Sequence, residues 1–255
     1  MKLRSILELK RPTHAPETWL PEIRSWLPSD CNPFLDAEGR LLALARTVGD
    51  GRVPILFACH LDTVHRDKGY QTMRSIGGAI HCGDGNCLGA DDGAGIWLML
   101  EMVAAGVPGA YLFHLDEECG CRGSRGIVQH HSDWLRQFQW AIGFDRPGTS
   151  DVITHFAGER GCRDGFAEGL SAKLSAHLSG YALAPCRRGG LTDVRHYVGL
   201  IPECTNLSVG YHRQHGPDEW LDTRFLVQVR RAVIEVFGAY GGGRQLILDS
   251  SVAHG

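Results

Sequence analysis

A three-layer α/β/α sandwich built on a mostly parallel sheet is the fold class this sequence predicts. Three observations lead there. Short apolar runs such as Val53–Cys59, Ala110–Leu115 and Trp140–Phe144 read as strands buried on both faces. Helical patterns alternate with them, as in folds whose sheet is covered on both sides. No internal repeat, low-complexity segment or linker divides the chain, so a single domain over residues 1–255 is the simplest organisation.

Composition narrows the function classes. The 255 residues are 43% apolar and 22% charged, ordinary values for a soluble domain. A net charge of -3 gives no electrostatic case for nucleic acid or an anionic membrane as partner. The start, Met1–Ile6, does not develop into an apolar signal core, and no run reaches the roughly 18 to 20 apolar residues of a membrane span. Nine scattered cysteines, an odd number, favour free thiols in a reducing cytosol over a disulfide framework, so a cytoplasmic location is expected.

The elements follow in order. Trp19, Leu20, Ile23, Trp26 and Leu27 fit one face of a short helix over Pro16–Leu27. Leu41–Ala45 reads as a strand, with its turn at Gly49-Asp50-Gly51. The strand Val53–Cys59 ends on His60-Leu61-Asp62, and residues two apart on extended chain share a face. A glycine-rich passage then leads through Asp91 into Ile96–Val103, apolar nearly all round like a buried helix. Ala110–Leu115 runs into Asp116-Glu117-Glu118, and Gly123-Ser124 can open another helix. Trp140–Phe144 ends on Asp145, and Val152–Phe156 is a further short strand. Phe166, Leu170, Leu174 and Leu178 recur every fourth residue within a helix over Arg163–Leu178. Thr205–Gly210 is a strand leading to His212 and His215, and Leu221 to Val236 mark a closing amphipathic helix. Residues 241–255 are expected as an edge strand or a flexible tail.

Four of these strands therefore end in residues that ligate metals, namely His60 with Asp62, Glu117 with Glu118, Asp145, and His215, while Asp91 opens a helix. Carboxyl ends of parallel strands converge on one edge of a sheet, where open α/β folds place ligands. Adjacent carboxylates repel, and a cation removes the repulsion. Histidine and carboxylate without a thiolate set suit zinc or manganese. The carboxylates suffice for two ions holding a water-derived nucleophile between them, with one carboxylate left free as general base. Asp92 and His212 are rivals to Asp91 and His215. The cysteine pairs Cys82/Cys87 and Cys119/Cys121 lack the spacing of zinc knuckles and read as thiols without metal.

In five motifs the chain resembles the M20 family of co-catalytic zinc peptidases, in the clan that also holds the M28 aminopeptidases. They are His60–Val64, Leu88–Gly95, Asp116–Gly120, Phe144-Asp145 and Asn206–Glu219, in the family's order. The resemblance implies a zinc-peptidase fold. It implies two zinc ions, or manganese or cobalt in their place, with His60 and Asp145 on one, Glu118 and His215 on the other, and Asp91 bridging. It makes Glu117 the general base and has Asp62 orient His60.

Two departures from M20 stand out. Gly93 takes the place of a usual lysine, and only 69 residues lie between Asp145 and His215, too few to add the lid domain that M20 enzymes insert there. A lidless catalytic domain is the plan of M28, and Glu117–Ser124 also resembles the M28 motif. Without a lid, substrate contacts fall to local residues. Arg187–Asp193 resembles an M20 segment, which makes Arg188 a candidate for a substrate carboxylate and Asp193 a support behind the ligands. Tyr211, His155 and His196 are further candidates. The implied function is a metal-dependent exopeptidase, of aminopeptidase or di/tripeptidase type, hydrolysing a terminal peptide bond with metal-activated water. The alternatives are an N-acyl-amino-acid deacylase and a metal-binding pseudoenzyme. The implied partner is a small peptide or acylated amino acid, and the chain is expected as a monomer or an oligomer of undetermined order.

Overall fold

The computed structural model describes residues 3–27, 34–35, 41–46 and 55–239. The expected turn at Gly49-Asp50-Gly51 and the tail over 241–255 lie outside them. In chain order the helices are α1 (Leu3–Glu8), α2 (Leu20–Ser25), α3 (Ala90–Ala104), α4 (Arg122–Leu135), α5 (Asp164–Ser175) and α6 (Thr223–Gly238). The strands are β1 (Phe34–Leu35), β2 (Leu41–Arg46), β3 (Ile55–His60), β4 (Met73–Ile76), β5 (Ala79–Cys82), β6 (Gly109–His114), β7 (Trp140–Arg146), β8 (Asp151–Ile153), β9 (His155–Phe156), β10 (Glu159–Arg160), β11 (Ala184–Cys186), β12 (Glu203–Ser208), β13 (Tyr211–His212) and β14 (Trp220–Asp222).

Eight strands form the central sheet in the order β1-β2-β6-β3-β7-β12-β8-β11. Its middle, β6-β3-β7-β12, is parallel, while β2 joins β6 antiparallel and β8 joins β12 antiparallel. The mostly parallel sheet expected from sequence is thus present, with antiparallel additions toward its edges. Alternate residues of β3 face opposite ways, which is why every position of that strand is apolar and buried up to His60. Phe57 and Cys59 pack with α3, α5 and α6 in one core. Leu56 and Ala58 pack in a second core with Ile127 and Leu135 of α4 and with Tyr197. Two cores on two faces of one sheet make the three layers.

Phe57 is the centre of the larger core. Its ring lies 5.2 Å from Tyr111, 5.9 Å from Phe144 and 5.2 Å from Phe237, centroid to centroid. Truncating such a buried aromatic costs about 3–5 kcal/mol. Gly95 lets α3 reach the sheet, since a Cβ there would come within 2.5 Å of the Phe144 carbonyl oxygen.

Register sets the site. His60 pairs with His114 at the ends of β3 and β6, and Leu61 N donates to His114 O at 2.8 Å. Ala58 pairs with Gly143, so Asp145 lies two residues further along β7, level with His60. A smaller antiparallel sheet, β13-β14-β5-β4, stands beside this edge, and the loop between β13 and β14 carries His215. No helix among the described residues is long and apolar enough to cross a membrane.

Candidate metal centre

Three strands, one helix and the β13–β14 loop that carries His215 deliver the side chains that sequence singled out. His60 closes β3, Asp145 lies near the end of β7, Glu117 and Glu118 follow β6, and Asp91 stands in the first turn of α3. Asp91 leaves helical geometry, with φ -82° and ψ 100°, and the peptide bond to Asp92 is cis. Its carboxylate then spans two imidazoles. Oδ1 is 3.0 Å from His60 Nε2 and Oδ2 is 3.0 Å from His215 Nε2. Asp145 Oδ1 lies 3.6 Å from His60 Nε2, and Glu118 Oε1 lies 3.2 Å from His215 Nε2. Ligand atoms of His60, Asp91 and Asp145 lie within 4.8 Å of one another, and so do those of Asp91, Glu118 and His215. The two groups share Asp91.

Of the rivals, Asp92 turns away. Its carboxylate accepts from Gly95 N at 2.9 Å and from His60 N at 3.3 Å, binding helix to strand. His212 stacks on Trp220 with 4.1 Å between centroids and is outside the cluster.

The residues fit a cation on two grounds. Glu118 Oε1 is buried without an aligned hydrogen-bond donor, an orphan acceptor of the kind a metal satisfies. The electrostatics agree. The carboxylates of Asp91 and then Glu118, both facing the ring, raise His215 to about 10. Burial opposes a charge on His60, but Asp145, Asp91 and Glu117 together raise its pKa well above the ordinary range. Positive charge is favoured where the two histidines meet the carboxylates, and a metal supplies it more strongly than a proton. Burial, reinforced by Asp145 and Glu118, pushes Glu117 up to about 7 against the pull of His60.

Around the ligands runs a set of fixed hydrogen bonds. Asp145 is held by Thr192 Oγ1 at 2.8 Å and by the Tyr211 hydroxyl at 2.9 Å, while Asn206 accepts from its N–H and donates to its carbonyl. Glu219, buried, accepts from Gly89 N and Asp91 N at 3.0 Å each and fixes the loop that carries Asp91. Asp62 differs from its expected part. The His60 ring contacts the Asp62 main-chain carbonyl at 3.0 Å, with the carboxylate at 3.8 Å. The carboxylate instead accepts from Glu117 N at 3.2 Å, Glu118 N at 3.3 Å and Thr13 Oγ1 at 2.9 Å. It shapes the turn that presents both glutamates.

The substrate-binding candidates divide. Tyr211 reaches the site through Asp145. Asp193 is buried, and its Oδ1 has no partner. Arg188 is exposed and does not line the cavity at the metal centre; one residue later Gly189 N donates to His155 O at 3.0 Å. His155 and His196 do not line that cavity either. Sequence patterns gave no warning of Thr13, whose only signal is a hydroxyl in an N-terminal arm, nor of Glu219 as a brace, though it lies in the His215 motif. The eight described cysteines are all free thiols.

A family model described as peptidase family M28 matches residues 43–186. No curated protein gives a significant match. Among solved structures, a tripeptidase from Staphylococcus aureus subsp. aureus Mu50 superposes with a TM-score of 0.75 at 14% identity, covering 94% of this chain and 97% of its own. The TET1 peptidase of Pyrococcus horikoshii, which assembles into a tetrahedron or an octahedral shell, gives 0.66 at 15% identity, covering 92% and 99%. A zinc aminopeptidase from Bacillus subtilis gives 0.54 at 19% identity, covering 78% of this chain and 49% of its own.

Proposed function

The chain belongs to peptidase family M28, a family of peptide-bond hydrolases, and on that premise we propose that it is a two-zinc exopeptidase of aminopeptidase or di/tripeptidase type. The observation that carries this reading is the pair of histidine–carboxylate groups joined by Asp91, with Glu117 beside them. His60 and Asp145 would hold one zinc, Glu118 and His215 the other, and Asp91 both. When bound, the zinc pair polarises a carbonyl and lowers the pKa of water. Glu117 takes the proton from the attacking water and returns it to the nitrogen of the leaving amine. Asp62 keeps Glu117 and Glu118 at their places on the turn, and Thr192 and Tyr211 fix Asp145 against rotation. We read residues 1–255 as one catalytic domain without an inserted lid. The free thiols suit a reducing compartment such as the cytoplasm.

The first test is hydrolysis of a free-amine tripeptide beside its N-acetylated twin, with zinc added and with a chelator control. Cleavage of the free peptide alone, lost with chelator, is expected. Release of the acyl group from the blocked twin would favour the deacylase reading, which has the M20 likeness of Asn206–Glu219 behind it.

A further inference from the structure

His215 is the most exposed of the five proposed ligands. Its side chain is 50% exposed, against 12% or less for His60, Asp91, Glu118 and Asp145. It stands in the loop 213–219, between β13 and β14. Among the described residues, positions 213–218 make no hydrogen bond beyond the loop itself, apart from the contacts of the His215 ring. Arg213 and His215 also hold left-handed backbone, with φ 53° and 67°, a conformation that residues with a Cβ keep only where their surroundings fix it.

The fixing comes at the two ends of the loop. At its far end the buried Glu219 accepts from Gly89 N and Asp91 N. At its mouth His212 and Trp220 face each other across β13 and β14, with ring centroids 4.1 Å apart and planes 9° from parallel. The hairpin is short. Only Tyr211 with Leu221 and His212 with Trp220 are paired, so the stacked rings are the last pair before the loop opens. Trp220 pairs in turn with His81 of β5, at 6.3 Å between centroids, which ties the hairpin to the rest of the small sheet. His212 Nε2 is buried without a hydrogen-bond partner, and stacking is what holds that ring.

Resting on the two-zinc reading, we infer that the His212–Trp220 stack is a clamp on the loop that carries His215. Neither side chain is a zinc ligand. Both are positioning residues that close the hairpin and so keep His215 Nε2 facing Asp91 and Glu118. Aromatic pairs across strands stabilise a hairpin, and a ligand placed in advance need not be ordered when the metal binds. The clamp acts on one zinc only. His60, Asp91 and Asp145 are delivered by β3, α3 and β7, which contain neither ring.

The experiment measures zinc affinity by competition with a chromogenic chelator in the wild type, His212→Ala, Trp220→Ala and the ring-conserving His212→Phe. The alanine variants should bind the zinc of Glu118 and His215 about 10- to 100-fold more weakly and the other zinc as the wild type does. His212→Phe should stay close to the wild type, since it keeps the stacked ring and removes both nitrogens. On a His215→Ala background, where only the zinc of His60 and Asp145 remains, adding Trp220→Ala should change nothing. In the metal-free proteins, amide hydrogen exchange over residues 213–218 should quicken in the alanine variants while that of β3 and β7 is unchanged. Should Trp220→Ala unfold the chain, the two His212 variants decide alone. Equal weakening of both zincs would overturn the clamp by showing a general loss of fold. His212→Phe as weak as His212→Ala would overturn it by making a nitrogen the active group. Unchanged affinities in the alanine variants would also overturn it and leave the two-zinc reading standing. A wild type that binds a single zinc would overturn the two-zinc reading, and the clamp with it.

Discussion

Thr13 Oγ1 donates a 2.9 Å hydrogen bond to Asp62 Oδ2, tying the N-terminal arm to the carboxylate that shapes the Glu117–Glu118 turn. The arm is itself pinned by Arg11, which is fully buried and donates to the carbonyls of Leu61, Ile6 and Gly89. Hydrogen bonds to a charged group contribute about 1.5–3 kcal/mol. Groups that orient metal ligands typically change metal affinity or activity by about 10- to 100-fold. Thr13→Val keeps the shape and removes the donor, so zinc affinity measured by chelator competition should fall within that range. An unchanged affinity would show that Asp62 is held sufficiently by its two backbone donors.

Glu117 is the one carboxylate of the pair left without a metal in the proposed arrangement. Glu117→Gln preserves its size and hydrogen-bonding reach but removes the basic oxygen. kcat should fall by about 10²- to 10⁴-fold, the usual contribution of a general base. Zinc stoichiometry should not change. Retained turnover with zinc bound would reassign the base.

Four carboxylates, those of Asp91, Glu117, Glu118 and Asp145, crowd two histidines, so a bound cation should stabilise the fold as well as the reaction. Zinc at one hundred times its Kd should add about 2.7 kcal/mol. In a chain of this size that corresponds to a rise in melting temperature of about 5–11 °C. Elemental analysis should give two zinc ions in the wild type and one in His215→Ala, because His60, Asp91 and Asp145 survive that change. A wild type saturating at a single ion would remove the two-metal basis of the mechanism.

The layered fold was legible in the sequence because strands buried on both faces leave no polar position until they end. Ile55–Cys59 and Ala110–Phe113 are such runs, and the ligands follow at their carboxyl ends. What periodicity does not encode is which atom of a residue does the work. Asp62 meets His60 through its carbonyl, while its carboxylate serves a turn 55 residues later. Nor does sequence reveal partners brought together only by tertiary packing, as Glu219 is to Asp91 across 128 residues. Between Asp91 and Asp92 the sequence offers only the family resemblance as a guide, and the physical reason is local. Asp92 caps the following helical turn at Gly95 N and leaves Asp91 to face both histidines. Arg188 is a candidate for a substrate carboxylate through the likeness of Arg187–Asp193 to an M20 segment, and that likeness does not encode the course of the chain, which the neighbouring Gly189 fixes by its packing on His155.

His65 gives the fold a dependence on acid that is separate from catalysis. It is buried, with Nε2 3.1 Å from both Gln71 Oε1 and the Cys87 carbonyl, so Nε2 carries the proton and Nδ1 faces the Thr63 hydroxyl at 2.6 Å. Burial first, and the nearby Arg11 guanidinium second, lower its pKa to about 4. A histidine with a depressed folded pKa contributes its full stability above the unfolded value of about 6.5, and loses it as pH falls through about 4. The difference corresponds to about 3 kcal/mol between those limits, at 1.36 kcal/mol per unit. Gln71, which also donates to the carbonyls of Leu7 and Leu88, links this loss to α1 and to the loop before Asp91. Denaturant unfolding at pH 7 and pH 4 should therefore show wild type losing more stability than His65→Gln, by roughly that amount. Equal losses in the two proteins would mean that His65 takes up its proton in the folded state as readily as in the unfolded chain.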